Sequence, residues 1–496
     1  MRTASTKPPV AGLDDLGNES RVIATPWSRL VRGIGLGQYP AAFDPQAADR
    51  IRTAFALIGN RVTDANSYHR FSRLMAGFVL DVTDPRVALD RRETERHVTE
   101  VLNAVRSVKD PYWRVMAGCI LLDGVAKLGL DLSLVSGDGI DVPAEIVSMA
   151  DDIEPDRIRD ENQGRHGDYE RLSAGTAILL SHGQLGISDR LVTGPRNFVL
   201  ESLDLLDRIP GPFFRGRGGS MLLSATSLLG YDELALDGDR DRLRDVLDYL
   251  DRADELRLPP AFPQAMTESF GRIYPLLTML NAIAVTGRAE YLTHGRDRLG
   301  EARDLFEAIS PAERTHMGLY YLVALHNLGR THEELPSLDH FVEEIVGTWR
   351  SVDPGDNFFL NGIAYPYMIQ TAMVTGRTDL VTDDMLDRVV DSYPDLERNE
   401  IDRVNRPYPF GYLVNVLGEL DALDRLFEPR DRYAGRSAFE WVATQLSPDA
   451  TAEGSRLHIL DHALIGYALR QRGADSTDPG MFRDFTFTLG EPQGRP

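Results

Sequence analysis

The sequence holds a single cysteine, Cys119, among 496 residues. Intramolecular disulfides and thiolate cages for zinc are thereby excluded. Long apolar runs are missing too, since polar residues interrupt every hydrophobic stretch well short of the ~20 residues that cross a bilayer. Basic residues are scarce beside acids, 54 Lys+Arg against 76 Asp+Glu, a net charge of −22. A nucleic-acid backbone or an anionic membrane surface is a poor partner for such a chain. Strand-like alternation is confined to Phe485–Leu489. No GXXXXGK[ST] phosphate loop, strand–GXGXXG–helix unit or GXSXG elbow occurs, which argues against ATP, dinucleotide and serine-hydrolase chemistry. Met1–Pro26 lacks the apolar stretch of a secretory signal, so a cytoplasmic protein is expected.

What the chain has in quantity is glycine at the ends of apolar segments. WRVMAGCILLDGVAKLG ends at Gly129, RLSAGTAILLSHGQLG at Gly186, GGSMLLSATSLLG at Gly230 and RIYPLLTMLNAIAVTG at Gly287. MGLYYLVALHNLG ends at Gly329, AYPYMIQTAMVTG at Gly376, PFGYLVNVLG at Gly418 and LHILDHALIGYALRQRG at Gly473. Gly129 and Gly473 are 344 residues apart, seven intervals of about 49. Each segment suits a buried helix, and glycine supplies the left-handed residue that closes it. A charged turn follows, then an amphipathic helix; Asp241–Leu256 and Asp383–Tyr393 are clear examples, the second with Thr382 as its N-cap.

The unit is a helical hairpin repeated seven or eight times, so the fold class is all-α. The period is longer and more variable than that of solenoid repeats. The segments leading into the apolar helices read as long and rich in aromatic and Arg residues, and the turns leaving them as short. Both features predict an α/α toroid, in which those leading segments gather at one mouth. In this periodicity, over roughly residues 60–475, the chain resembles α/α-barrel proteins such as terpenoid cyclases, six-hairpin glycosidases and sugar epimerases. The resemblance is one of fold, and it implies an inner helical ring around a cavity. Residues 1–45 and 476–496 read as irregular tails on one helical domain at 46–475, and residues 131–166 as an irregular stretch, either a lid or a partly helical insertion.

Site candidates lie near the starts of the inner helices. Arg215 and Arg217, in PGPFFRGRGGS, offer forked donors to a phosphate or carboxylate beside Phe213 and Phe214. Glu268, Arg272, Tyr274, Tyr320, Tyr365, Tyr367 and Tyr408 extend an aromatic, partly charged lining. His458 and His462 share a helix face, with Asp461 between them; together with Asp168 they offer proton-transfer chemistry. Asp383-Asp384-Met385-Leu386-Asp387 matches the DDXXD magnesium string of class I terpene synthases without their second motif. Acids at a helix start are favoured in any case. No cofactor or metal is therefore expected, and magnesium would rest on that string alone.

An aromatic pocket with an arginine anchor fits a non-redox cyclisation, elimination or isomerisation of a small, prenyl-type molecule carrying an anionic group. One alternative is a carbohydrate-active α/α barrel with Asp168 and Glu268 as paired carboxylates. Another is a non-enzymatic helical-repeat scaffold. A small molecule is the expected partner, and the oligomeric state is left open.

Overall fold

The computed structural model describes residues 43–62, 67–137, 139–155, 167–209, 211–237, 239–252, 268–352, 358–394, 407–446 and 457–471. The predicted tails, apart from residues 43–45, lie outside this set, as do Gly473 and the stretch at 485–489. The described chain is mostly helix. Helices of seven residues or more are α1 (Pro45–Gly59), α2 (Ser67–Thr83), α3 (Arg91–Ser107), α4 (Pro111–Lys127), α5 (Val142–Met149), α6 (Gly167–Gln184), α7 (Phe198–Asp204), α8 (Pro212–Leu228) and α9 (Arg242–Arg252). They continue as α10 (Glu268–Thr286), α11 (Arg298–Ala308), α12 (Pro311–Asn327), α13 (Leu338–Gly347), α14 (Phe358–Val374), α15 (Asp383–Asp391), α16 (Pro407–Glu419), α17 (Ala438–Gln445) and α18 (Leu457–Arg470). Each even-numbered helix packs against the next, from α2 to α18, and α18 packs on α2 as well as on α16.

Glycine ends these helices as the sequence predicts. Gly129, Gly186, Gly230, Gly287, Gly329 and Gly376 all have φ between 64° and 81°. The next residue then donates to the carbonyl five positions back, as in Leu130 to Val125 at 3.0 Å and Arg377 to Ala372 at 2.8 Å. This bond satisfies a carbonyl the helix end would leave unpaired. The seventh turn departs from expectation. Gly418 lies inside α16, where a Cβ would meet the Tyr467 ring of α18 at 2.7 Å. Asp421 (φ 56°) takes the left-handed position instead, and Ala422 donates to Leu417 at 2.8 Å. Asp421→Gly is expected to stabilise the protein by about 0.5–1 kcal/mol, because glycine removes the left-handed penalty. Urea denaturation checks this; a loss of stability would show that the aspartate side chain holds the turn.

Residues 131–155 are partly helical. Their two-residue strands, β1 (Ser136–Gly137) and β2 (Ile140–Asp141), form an antiparallel hairpin that leads into α5, the odd-layer helix of its repeat. Two of the leading segments are shorter than expected. Three residues, Val108–Asp110, precede α4, and Ile309–Ser310 precede α12, where Ser310 and Glu313 form a capping box. The turns leaving the even helices carry additional helical turns, such as Ala289–Leu292 and Thr378–Leu380.

A second glycine position sets the spacing between layers. Eleven residues before the left-handed residue stand Gly118, Gly175, Gly219 and Gly318. A Cβ there would approach Ile146 of α5 to 2.6 Å, Ser202 of α7 to 2.8 Å, Val246 of α9 to 3.2 Å and Ile345 of α13 to 3.0 Å, respectively. This position therefore faces the odd-numbered layer. Tyr365 and Phe410 occupy it in two other repeats and face the same way. Arg388 of α15 donates to the Tyr365 hydroxyl at 3.2 Å, and Phe410 packs on Phe439 of α17. At about 100° per residue, positions thirteen, nine and six before the turn point roughly 140–200° away, onto the face opposite the odd layer. We call this the inward face.

Arginines stitch successive odd-layer segments together. Arg298 bonds Asp251 at 2.7 and 3.0 Å, and Arg377 bonds Asp339 at 3.0 Å and Glu343 at 3.3 Å. The DDXXD string is used this way as well. Arg425 binds Asp383 and Asp387, and Arg430 binds Asp387 at 3.0 Å and Asp391 at 3.3 Å. The high Asp and Arg content thus serves joints between repeats, where networked pairs gain over isolated surface ones.

Candidate functional site

The register assigns each predicted residue a side. Arg217, Tyr274 and His316 lie thirteen residues before their turns, Tyr320, Tyr367 and Tyr412 nine before, all on the inward face. Ring contacts run along this face from helix to helix. Tyr169 meets Phe214 (4.8 Å between centroids), Phe214 meets Phe213 (5.4 Å), and Phe213 stacks on Tyr274 (5.2 Å). The series continues from Tyr274 to Tyr320 (5.3 Å), Tyr367 (5.9 Å) and Tyr412 (6.1 Å). His316 sits among Phe270, Tyr320 and Tyr367. Burial holds its imidazole down at about 3 and so neutral at pH 7, and burial also raises the Tyr320 phenol well above its usual value.

Other predicted residues point elsewhere. Arg215 and Arg217 are two apart and so lie on opposite sides of α8. The Arg215 guanidinium donates to the carbonyls of Asp207 (2.7 Å) and Ile209 (3.1 Å) and lies 3.7 Å over the Tyr249 ring of α9. It fastens the odd layer and does not join Arg217. Arg272 reaches Glu301 of α11, and Tyr365 is turned to α15. Asp168 pairs with Arg208 at 3.6 Å, beside an outer pocket of about 470 Å³ whose Arg171 and Arg196 are held by Asp151. Glu268 is exposed at the first position of α10. The side chain of Tyr408 lies outside the described residues.

The histidines of α18 meet two residues that the sequence reading missed. Tyr68 is hydrogen-bonded to His462, and His69 Nδ1 stands 2.9 and 3.2 Å from the two oxygens of Asp461. Trp113 of α4 packs on His458 at 4.2 Å and on Tyr68 at 5.2 Å. The Phe55 ring of α1 lies 5.8 Å from the His69 ring. Burial pushes the Asp461 carboxyl up, against the opposing pull of His69. Two adjacent residues of α2 thus grip two adjacent residues of α18, where an early helix meets the last described one. Gln471 accepts from the Asp44 backbone at 3.3 Å close by. SYHRF, an aromatic and an ionisable residue at a helix start, carries the same signature as the candidates that were found.

Among the described residues no group of three or more His, Cys, Asp and Glu side chains is placed to hold a metal ion, and no helix is long and apolar enough to cross a membrane. No family model, curated protein or solved structure matches the chain.

Proposed function

We propose that the even-numbered helices form the inner ring of an α/α toroid, and that the interior binds and rearranges a small, largely apolar molecule bearing an anionic group. The packing of α18 on both α16 and α2 supports the closed arrangement. One observation carries the functional reading: the inward face buries a guanidinium and an imidazole, Arg217 and His316, beside a run of tyrosines, and charged groups are seldom buried in a purely structural core. In this reading the tyrosine faces hold the apolar body and stabilise developing positive charge, and Arg217 anchors the anion. His462, with Tyr68, moves the proton. The chemistry is a cyclisation, elimination or isomerisation without electron transfer.

The test is incubation with a panel of prenyl diphosphates and sugars, with and without Mg²⁺, followed by product analysis. Turnover of an anionic prenyl substrate that disappears in Arg217→Met, with the helical circular dichroism intact, supports the reading. Turnover unaffected by that change removes it.

A second reading, a non-catalytic scaffold, draws on burial. Tyr274, Tyr320, Tyr367 and Tyr412 are each 4% exposed or less, as packed core residues are. Absence of turnover across the panel, with a protein partner bound at fixed ratio, would favour it.

A further inference from the structure

Fifteen residues before the left-handed turn an arginine recurs in five repeats, at Arg114, Arg171, Arg215, Arg272 and Arg314. The position is about 40° round the helix from the one that glycine holds against the odd layer, so it turns the same way. Four of the five guanidiniums are spent there. Arg114, Arg215 and Arg314 donate to the carbonyls of Val108 (2.9 Å), Ile209 (3.1 Å) and Glu307 (2.6 Å), and Arg272 donates to Glu301 (3.2 Å). Arg171 makes no hydrogen bond among the described residues. Its ion pair with Asp151 is 3.7 Å long, and that carboxylate already accepts from Arg196 at 2.6 and 3.1 Å.

Arg171 instead lines the pocket of about 470 Å³ between the turn at Ala150–Asp152 and α7. Arg208 lines it too, and its ion pair with Asp168, at 3.6 Å, is likewise too long for a hydrogen bond. Asp168 and Arg171 are three apart on α6 and so neighbours on its surface, which brings both guanidiniums to one side of the pocket. Solvent reaches both, their side chains being 23% and 52% exposed. The other charges are taken: Arg196 binds Glu201 and Asp151, and Arg242 binds Asp204. Phe198, Ala150 and Leu205 make an apolar wall. The same joint one repeat earlier holds a pocket of about 390 Å³, but both of its arginines are hydrogen-bonded. Arg106 forks onto Glu145 at 2.7 Å, and Arg114 donates to Val108, Lys109 and Asp152.

We infer that the pocket at α7 binds a small organic carboxylate, its oxygens held by Arg171 and Arg208 and its apolar body laid on Phe198 and Leu205. Its volume is that of an ordinary small-molecule site, and forked N–H donors match the edge of a carboxylate. Three guanidiniums and three carboxylates, Asp151, Glu201 and Asp204, line the pocket, so one added negative charge suits it better than the two of a phosphate ester. The site lies toward the odd layer and does not depend on the reading proposed for the inward face.

The probes are 2-naphthoate, 2-naphthamide and 2-naphthyl phosphate, titrated calorimetrically into the full chain. The carboxylate should bind about tenfold more tightly than the amide, and more tightly than the phosphate ester. Arg171→Gln and Arg208→Gln should each weaken naphthoate binding by about fivefold. Both variants should melt, without ligand, within about 2 °C of the wild type, since neither guanidinium is hydrogen-bonded there. No binding of either anion at millimolar concentration would overturn the inference, as would equal binding of carboxylate and amide or tighter binding of the phosphate ester. Naphthoate binding that survives both Gln substitutions but fails in Arg217→Met would place the ligand on the inward face and overturn it as well. A large drop in melting temperature for Arg171→Gln would give that guanidinium the structural role of its four counterparts, with the same result.

Discussion

His69→Ala is expected to destabilise the protein by about 3 kcal/mol at pH 8 and by clearly less at pH 5. The substitution removes the group that opposes the upward push of burial on Asp461. The carboxyl then titrates further above its unfolded value, so between the two the folded state holds the extra proton. Stability of the variant therefore falls as pH rises through that window and recovers as pH drops toward the unfolded value. His69→Phe combined with Asp461→Leu should return to within about 1 kcal/mol of wild type and lose this pH dependence, because no buried charge is left unmatched. Denaturant unfolding at pH 5 and pH 8 measures all of these. A His69→Ala protein as stable as wild type at both values would mean that the pair does not hold α2 to α18.

Gly118→Val should cost about 3 kcal/mol, through a different mechanism. Its Cβ would fall 2.6 and 2.8 Å from Ile146 Cγ1 and Cδ1, so α5 must move away or Ile146 must leave its rotamer. Ile146→Ala alone opens a cavity and is expected to cost about 2–4 kcal/mol. Together the two changes should cost much less than their sum, since each removes the other's fault. Gly77→Ala on α2 is the control. Nothing lies within 4 Å of its Cβ, so the better helix former should stabilise by about 0.5–1 kcal/mol. A Gly118→Val protein as stable as wild type would show that the layers are not held at glycine contact.

The repeat was legible because a left-handed helix end is a strong backbone demand that glycine meets at little cost. It was misread once, at Gly418, because glycine also serves close helix contacts and Asp can take the left-handed position. The site was less legible. Reading the starts of the inner helices brought together Phe213, Phe214, Arg217, Tyr274, Tyr320 and Tyr367, but also Arg215, Arg272, Asp168 and Tyr365, which face the odd layer. Proximity along the chain does not separate the sides of a helix; counting back from the turn does. Tyr68 and His69 were passed over because α2 has no glycine stop; it runs out at Thr83.

In the proposed closed ring α18 is an interior member and not the free end of a stack. Native-state hydrogen exchange read along the chain tests it most directly. Closure predicts that the amides of α2 and α18 are as well protected as those of α8 and α10. Protection that declines steadily from α8 and α10 toward both α2 and α18, as in an open repeat array, would contradict it.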